Sequence, residues 1–187
     1  MHHHLPGLAG AGGAAFLLRT PTTISVTIEH PQGLVLLIAG EPCLTVQLHT
    51  AVASEGLRDT CWRIAQEALD FHAATQRQAY ATKSGDREFV TWQSSPNGYL
   101  LTIADTIQAL WAMNAQCIAQ SPPGAQPPPS PPPLIQHHPA LRYYRLSQLS
   151  DDLFDAFRNA YLALEYLASE ESPKGPSESE PNGYFES

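Results

Sequence analysis

The chain is short of charge, and of positive charge most of all. Only 15% of its 187 residues are charged, and 10 lysines and arginines face 18 acids, for a formal net charge of −8. Nowhere do Lys and Arg cluster. A phosphate-binding surface needs concentrated positive charge, so nucleic-acid binding by this chain alone is disfavoured. Cysteine is scarce as well. Cys43, Cys61 and Cys117 are odd in number, far apart and without a CxxC pair. They support no disulfide framework and point to a reducing cytoplasm. No apolar run is long enough to span a bilayer, which sets a membrane partner aside. GxSxG, HExxH, a Walker loop and paired-carboxylate motifs are all missing. No catalytic residue, cofactor site or metal site is therefore assigned, and a non-catalytic protein is the better reading than an enzyme.

What the chain does have is a core's worth of apolar residues and an excess of proline. Hydrophobic residues make up 43%, ordinary for a globular protein, and there are 17 prolines. The opening LPGLAGAGGAAFLL has the wrong flanks for a signal peptide: histidines precede it and glycines interrupt it. Residues 1–22 read as a disordered leader, or as a start placed too far upstream. GAGGAA (Gly10–Ala15) matches a GxGxxA dinucleotide fingerprint only formally, because no strand precedes it and Pro21 cuts short any helix after it. His2–His4 is a short histidine tract with no site implied.

From Thr23 to Leu48 the pattern is that of a meander. Ile24, Val26 and Ile28 alternate with polar residues, His30–Gly33 supplies a turn, and Leu34–Ile38 is a buried-strand run. Ala39–Pro42 marks a second turn, and Leu44, Val46 and Leu48 alternate again. The period then changes. Leu57, Cys61, Ile64, Ala68 and His72 recur at spacings of three and four, which predicts one amphipathic helix from about Ser54 to Tyr80. Cys61 and His72 share its face as buried stripe residues, since no further ligands accompany them as a zinc pair would require. A hairpin comes next, Glu88–Gln93 and Tyr99–Ile107, with Asn97-Gly98 supplying positive backbone angles at the turn. Gln108–Ala119 fits either a short helix or a last strand. Trp62, Trp92 and Trp111 read as core or sheet anchors.

Ser121–Pro133, SPPGAQPPPSPPP, can form neither helix nor central strand, because consecutive prolines fix φ and remove donors. It reads as a spacer. With no flanking Lys or Arg and no PPxY, a PxxP ligand is the weaker alternative. His137-His138 beside it has no partner at ligand spacing. Beyond it, Ser150 is a good N-cap, with Asp151 and Asp152 in the first turn, for a helix ending near Ser169 before Pro173. Leu153, Phe157, Ala160, Leu164, Leu167 and Ala168 fall on one arc, with Phe154 and Tyr161 beside it, and this arc is expected to be the buried face. Asp152, Asp155 and Asn159 fall opposite. Arg158 and Glu165, two turns apart beside Tyr161, form either a structural pair at the edge of a core or a polar groove.

The segments HPALRYYRLSQLSDDLFDAFRNAYLALEYLASEESPKGPSESE, ALDFHAATQRQAYATKSGDREFVTW and YLLTI resemble MauJ-like bacterial proteins of the methylamine-utilisation type. The likeness implies an α+β N-terminal part before a helical C-terminal part, and little chemistry. YLALEYL is also similar to the first helix of HEPN-type domains. Their Arg-x(4–6)-His motif is absent here: Arg158 is followed by NAYLALE, and no histidine comes after His138. That likeness implies an inactive relative or an incomplete domain.

The expected fold is α+β, with antiparallel meander and hairpins packed on one long helix, then a C-terminal helical segment. The expected organisation is a leader at 1–22, an α+β domain at 23–120, a proline-rich linker at 121–136, a helical segment at 137–172 and an acidic tail at 173–187. Because one amphipathic helix cannot bury its apolar face alone, the last helix must pack on the N-terminal part or on another chain. The function this favours is a cytoplasmic, non-catalytic binding or assembly protein, with a protein partner or self-association. The alternative is an incomplete or inactive HEPN-type nucleic-acid-processing protein. A small-molecule pocket between the sheet and the first helix is a third.

Overall fold

The computed structural model describes residues 10–83, 89–103 and 137–170, together with the backbone of residues 3–4, 111–112 and 171. The architecture is α+β. Strands β1 (His3–His4), β2 (Gly12–Leu17), β3 (Val26–His30), β4 (Gly33–Leu37) and β5 (Cys43–Leu48) precede the long helix α1 (Ser54–Gln76). After it come strands β6 (Phe89–Ser95), β7 (Gly98–Ile103) and β8 (Trp111–Ala112), then helices α2 (Pro139–Leu149) and α3 (Leu153–Glu171). Six strands form one antiparallel sheet in the order β3-β4-β5-β2-β6-β7, while β1 and β8 pair separately in parallel. The ambiguous run at Gln108–Ala119 thus contributes a two-residue strand. Its remainder, the proline-rich run and the acidic tail lie outside the described residues.

The sheet corrects the reading of residues 1–22 as a leader. Gly12–Leu17 is an inner strand, pairing with β5 on one side and β6 on the other, and every one of its residues is buried. Buried on both faces, it has no polar alternation to betray it. Its glycines are a packing requirement: a Cβ on Gly13 would stand 2.1 Å from the Val46 carbonyl oxygen and 2.3 Å from Cζ2 of Trp92. The Trp92 indole, fully buried, occupies the space that glycine leaves open.

The meander is as the alternation predicts. The β3–β4 hairpin turns on Pro31-Gln32, with His30 opposite Gly33, and Val35, Val46 and Ala14 continue a buried face across the neighbouring strands. In the second hairpin the turn residues are Pro96-Asn97, and only Gly98 takes a positive φ, 131°. The expected Asn97-Gly98 turn is displaced by one residue, because proline at the first turn position pre-sets its φ.

Helix α1 lays Leu57, Cys61, Ile64, Ala65, Ala68 and Leu69 on the sheet, against Phe16, Leu44, Val46 and Leu48. It ends at Arg77, in the left-handed region at φ 54°, earlier than the apolar spacing suggests. The chain then returns Tyr80 to the core, where its ring stacks on His72 at 5.7 Å. A part-buried polar clasp ties the β3–β4 turn to α1. The Gln32 N–H donates to His30 Nδ1 at 3.1 Å, which leaves the proton on Nε2 to face Glu67 at 2.9 Å. Arg63 approaches the other Glu67 oxygen at 2.8 Å. Burial alone would raise the Glu67 carboxyl, but these two partners outweigh it and hold it below its ordinary value.

The C-terminal segment is two helices rather than one. His138 caps α2, accepting the Ala140 N–H at 3.1 Å with Pro139 at the first helical position. Ser150, expected to open the last helix, instead closes α2, donating to the Leu146 carbonyl at 2.9 Å. Asp152 is the cap of α3, since its Oδ1 accepts the Asp155 N–H at 3.0 Å and its carbonyl the Ala156 N–H at 2.9 Å. Among Ser150, Asp151 and Asp152 all three side chains are chemically able to cap, so composition alone does not choose between them.

Candidate functional site

Two surfaces draw attention, and α2 joins them. Its anchor is Arg145, buried against α1. Arg145 Nε donates to Asp70 Oδ1 at 2.6 Å, Nη1 to the Tyr80 carbonyl at 3.1 Å and Nη2 to Gln66 Oε1 at 2.7 Å. Burial pushes the Asp70 carboxyl above its usual range, against the pull of Arg145, His137 and Arg142. Asp70 Oδ2 is buried without a hydrogen bond, with His137 Nε2 3.9 Å away. Neither Arg145 nor Asp70 stands out in the sequence. By helical spacing Asp70 belongs to the solvent face of α1, and the signal that would have found it is an arginine in a second helix able to cover it.

Above this pair opens a cleft of about 580 Å³ walled by Trp62, Arg142, Tyr143 and Tyr166, with Asp70 and His137 at its edge. Tyr143 stacks on Tyr166 at 5.4 Å, joining α2 to α3. Between the sheet and α1, where the sequence left room for a small-molecule pocket, there is a space of about 100 Å³ beside Ile28, Phe71 and His72 and a larger one of about 360 Å³ between the first turns of α1 and strands β6 and β7, lined by Leu57, Arg58, Phe89 and Leu100. Only the second falls within the roughly 300–1,000 Å³ of a ligand pocket.

The second surface is α3. It runs back along α2, placing Tyr166 against Tyr143 and Glu170 Oε2 2.9 Å from His138 Nε2. The residues turned inward are Asn159 and Ala163, with Ala156 and Leu162 half-buried. They lie opposite the apolar arc and along one flank of it, so apart from the half-buried Ala160 the arc expected to be buried is instead exposed. Leu153 is 85% exposed, Phe154 72%, Phe157 70%, Leu164 66% and Tyr161 59%. Small side chains let α3 come close to α2, and the large ones are left facing away. Arg158 and Glu165 stand at the border of this bare arc, both exposed, beside Tyr161. Among the described residues Arg158 pairs with Asp155, at 3.3 Å, rather than with Glu165.

The remaining candidates fall inside the core. Cys61 and His72 are buried, and burial pushes the Cys61 thiol up to about 12 and the His72 ring below its ordinary value. No group of three or more His, Cys, Asp or Glu able to hold a metal ion occurs among the described residues. The GAGGAA run leads straight into strand β2 at Gly12 rather than forming a strand-to-helix phosphate loop. No described helix is long and apolar enough to cross a membrane. Comparison with protein-family models, with curated proteins and with solved structures finds no match.

Proposed function

We propose that this chain is a non-catalytic assembly protein whose last helix, α3, docks on a partner protein. The observation that carries this is the bare arc of α3. Single exposed apolar residues are ordinary, but five large ones, each more than half exposed, on one helical face form a contiguous patch of the kind that marks an interaction site. Each such side chain taken out of water is worth about 1.5–3 kcal/mol, so leaving the arc in water forfeits a stabilisation that a partner would recover. The polar cluster at α1–α2 has a structural part in this reading: Arg145 and Asp70 fix the platform from which α3 projects.

Size-exclusion chromatography with light scattering, alongside a hydrophobic dye, tests the proposal on the full chain. The expected result is either a mass above that of one chain or a monomer that binds the dye. Phe157→Asp, at a site already in water, should keep the helix content while lowering assembly or dye binding. A monomer that leaves the dye unbound would sink the docking reading.

A further inference from the structure

Resting on the reading of α3 as a docking helix, we infer that its partner is a second copy of this chain, paired antiparallel about a two-fold axis between Ala160 and Tyr161. A two-fold interface must be self-complementary: if residue i meets residue j, then j meets i. The α3 arc has that property. About the point between Ala160 and Tyr161, Leu153 is matched by Ala168, Phe154 by Leu167, and Phe157 by Leu164. Apolar therefore meets apolar at each step along the seam.

The border charges complete the match. Arg158 and Glu165, two turns apart, lie on the same edge of the arc. A two-fold axis perpendicular to the helices keeps that edge on the same side in both copies. It brings Glu165 of the second copy opposite Arg158, offset by two residues, about 3 Å along the axis. Two such cross pairs form together. Parallel pairing in register would instead carry this edge to opposite sides of the seam in the two copies, leaving Arg158 and Glu165 without each other as cross partners. The present Arg158–Asp155 contact, between two half-exposed side chains, is too weak to compete.

The area also suits a copy. A buried aromatic side chain covers about 150–250 Å², so the exposed aromatics and leucines of the arc offer on the order of 800 Å² per chain. That is about what each partner contributes to a stable interface. The arc faces away from α2, so pairing leaves the α2–α3 packing untouched.

Charge reversal in the full chain tests the pairing. Arg158→Glu and Glu165→Arg each place like charges opposite one another at both cross pairs. Each should weaken self-association about tenfold or more at low salt, measured by sedimentation with circular dichroism as the folding control. The double variant should restore association, and so should mixing the two single variants, which repel themselves but complement each other. Single variants that associate as well as the parent, or a double variant no better than either single, would overturn the antiparallel pairing. A parent monomer that binds hydrophobic dye overturns the second copy as partner and leaves the docking reading standing. A parent monomer that binds none overturns both.

Discussion

Arg145 makes three hydrogen bonds to acceptors on or just after α1, and no other described cation approaches Asp70 as closely. Arg145→Met would leave that carboxyl buried and unpaired, which costs about 3–5 kcal/mol in comparable pairs. Urea unfolding should report that loss, with part of it recovered in Asp70→Asn/Arg145→Met; a loss below about 1 kcal/mol would show that α2 is held by packing alone. His72 gives the fold a dependence on pH. Burial lowers its folded pKa beneath the unfolded value of 6.5, so the unfolded chain binds the extra proton. The stability it supports is complete above 6.5 and is lost as pH falls from there towards the folded value. Glu67, also lowered, adds to the loss only further down, below the ordinary carboxyl value of 4.5. His72→Phe keeps a ring against Tyr80 and removes the titration. It should flatten the stability difference between pH 7.5 and pH 5.5; an unchanged slope would assign the effect elsewhere.

At the scale of elements, the two classes of glycine separate cleanly. Gly13→Ala drives a methyl into the Val46 carbonyl and the Trp92 ring and should cost about 3 kcal/mol or more. Gly56→Ala, in the first turn of α1 with only Val52 nearby at 3.9 Å, should instead stabilise by about 0.5 kcal/mol. Thermal unfolding of both variants checks the contrast, and equal losses would contradict the inner-strand placement of β2. The meander and α1 were legible because their apolar residues keep the period of the element they form. β2 was not, since a strand buried on both faces has no alternation and its Gly-Ala composition is poor in strand formers. The last segment was half legible. Its helical period is plain from Leu153 onward, but the break at Ser150–Asp152 depends on which of three capping side chains is used. Which face of α3 is covered could not be read either. Periodicity shows that one face is apolar, while the packing partner decides whether that face turns inward.

At the scale of the whole molecule the layers run sheet, α1, α2, α3, each helix resting chiefly on the element before it. Burial drops after the first helix: α1 carries nine buried residues, whereas α2 buries Ala140 and Arg145 and, among its described residues, α3 buries Asn159 and Ala163. The stack therefore ends on an apolar surface that the described residues do not cover, with Arg158 and Glu165 at its border. Helical spacing puts Arg158, Glu165 and Tyr161 on one side of the helix, expected there as the margin of a core. In the structure they are the margin of an exposed face, and the proposed pairing with a second copy would give them each other across the seam. Thiol alkylation at the centre of the arc measures this most directly. With Cys117→Ser as background and with Cys43 and Cys61 buried, their thiols pushed up to about 12, a Leu164→Cys thiol is the reactive one. Its labelling should be slow at high protein concentration and should quicken on dilution as the pair separates. Labelling that is fast throughout, or slow and indifferent to dilution, would contradict a second chain covering α3.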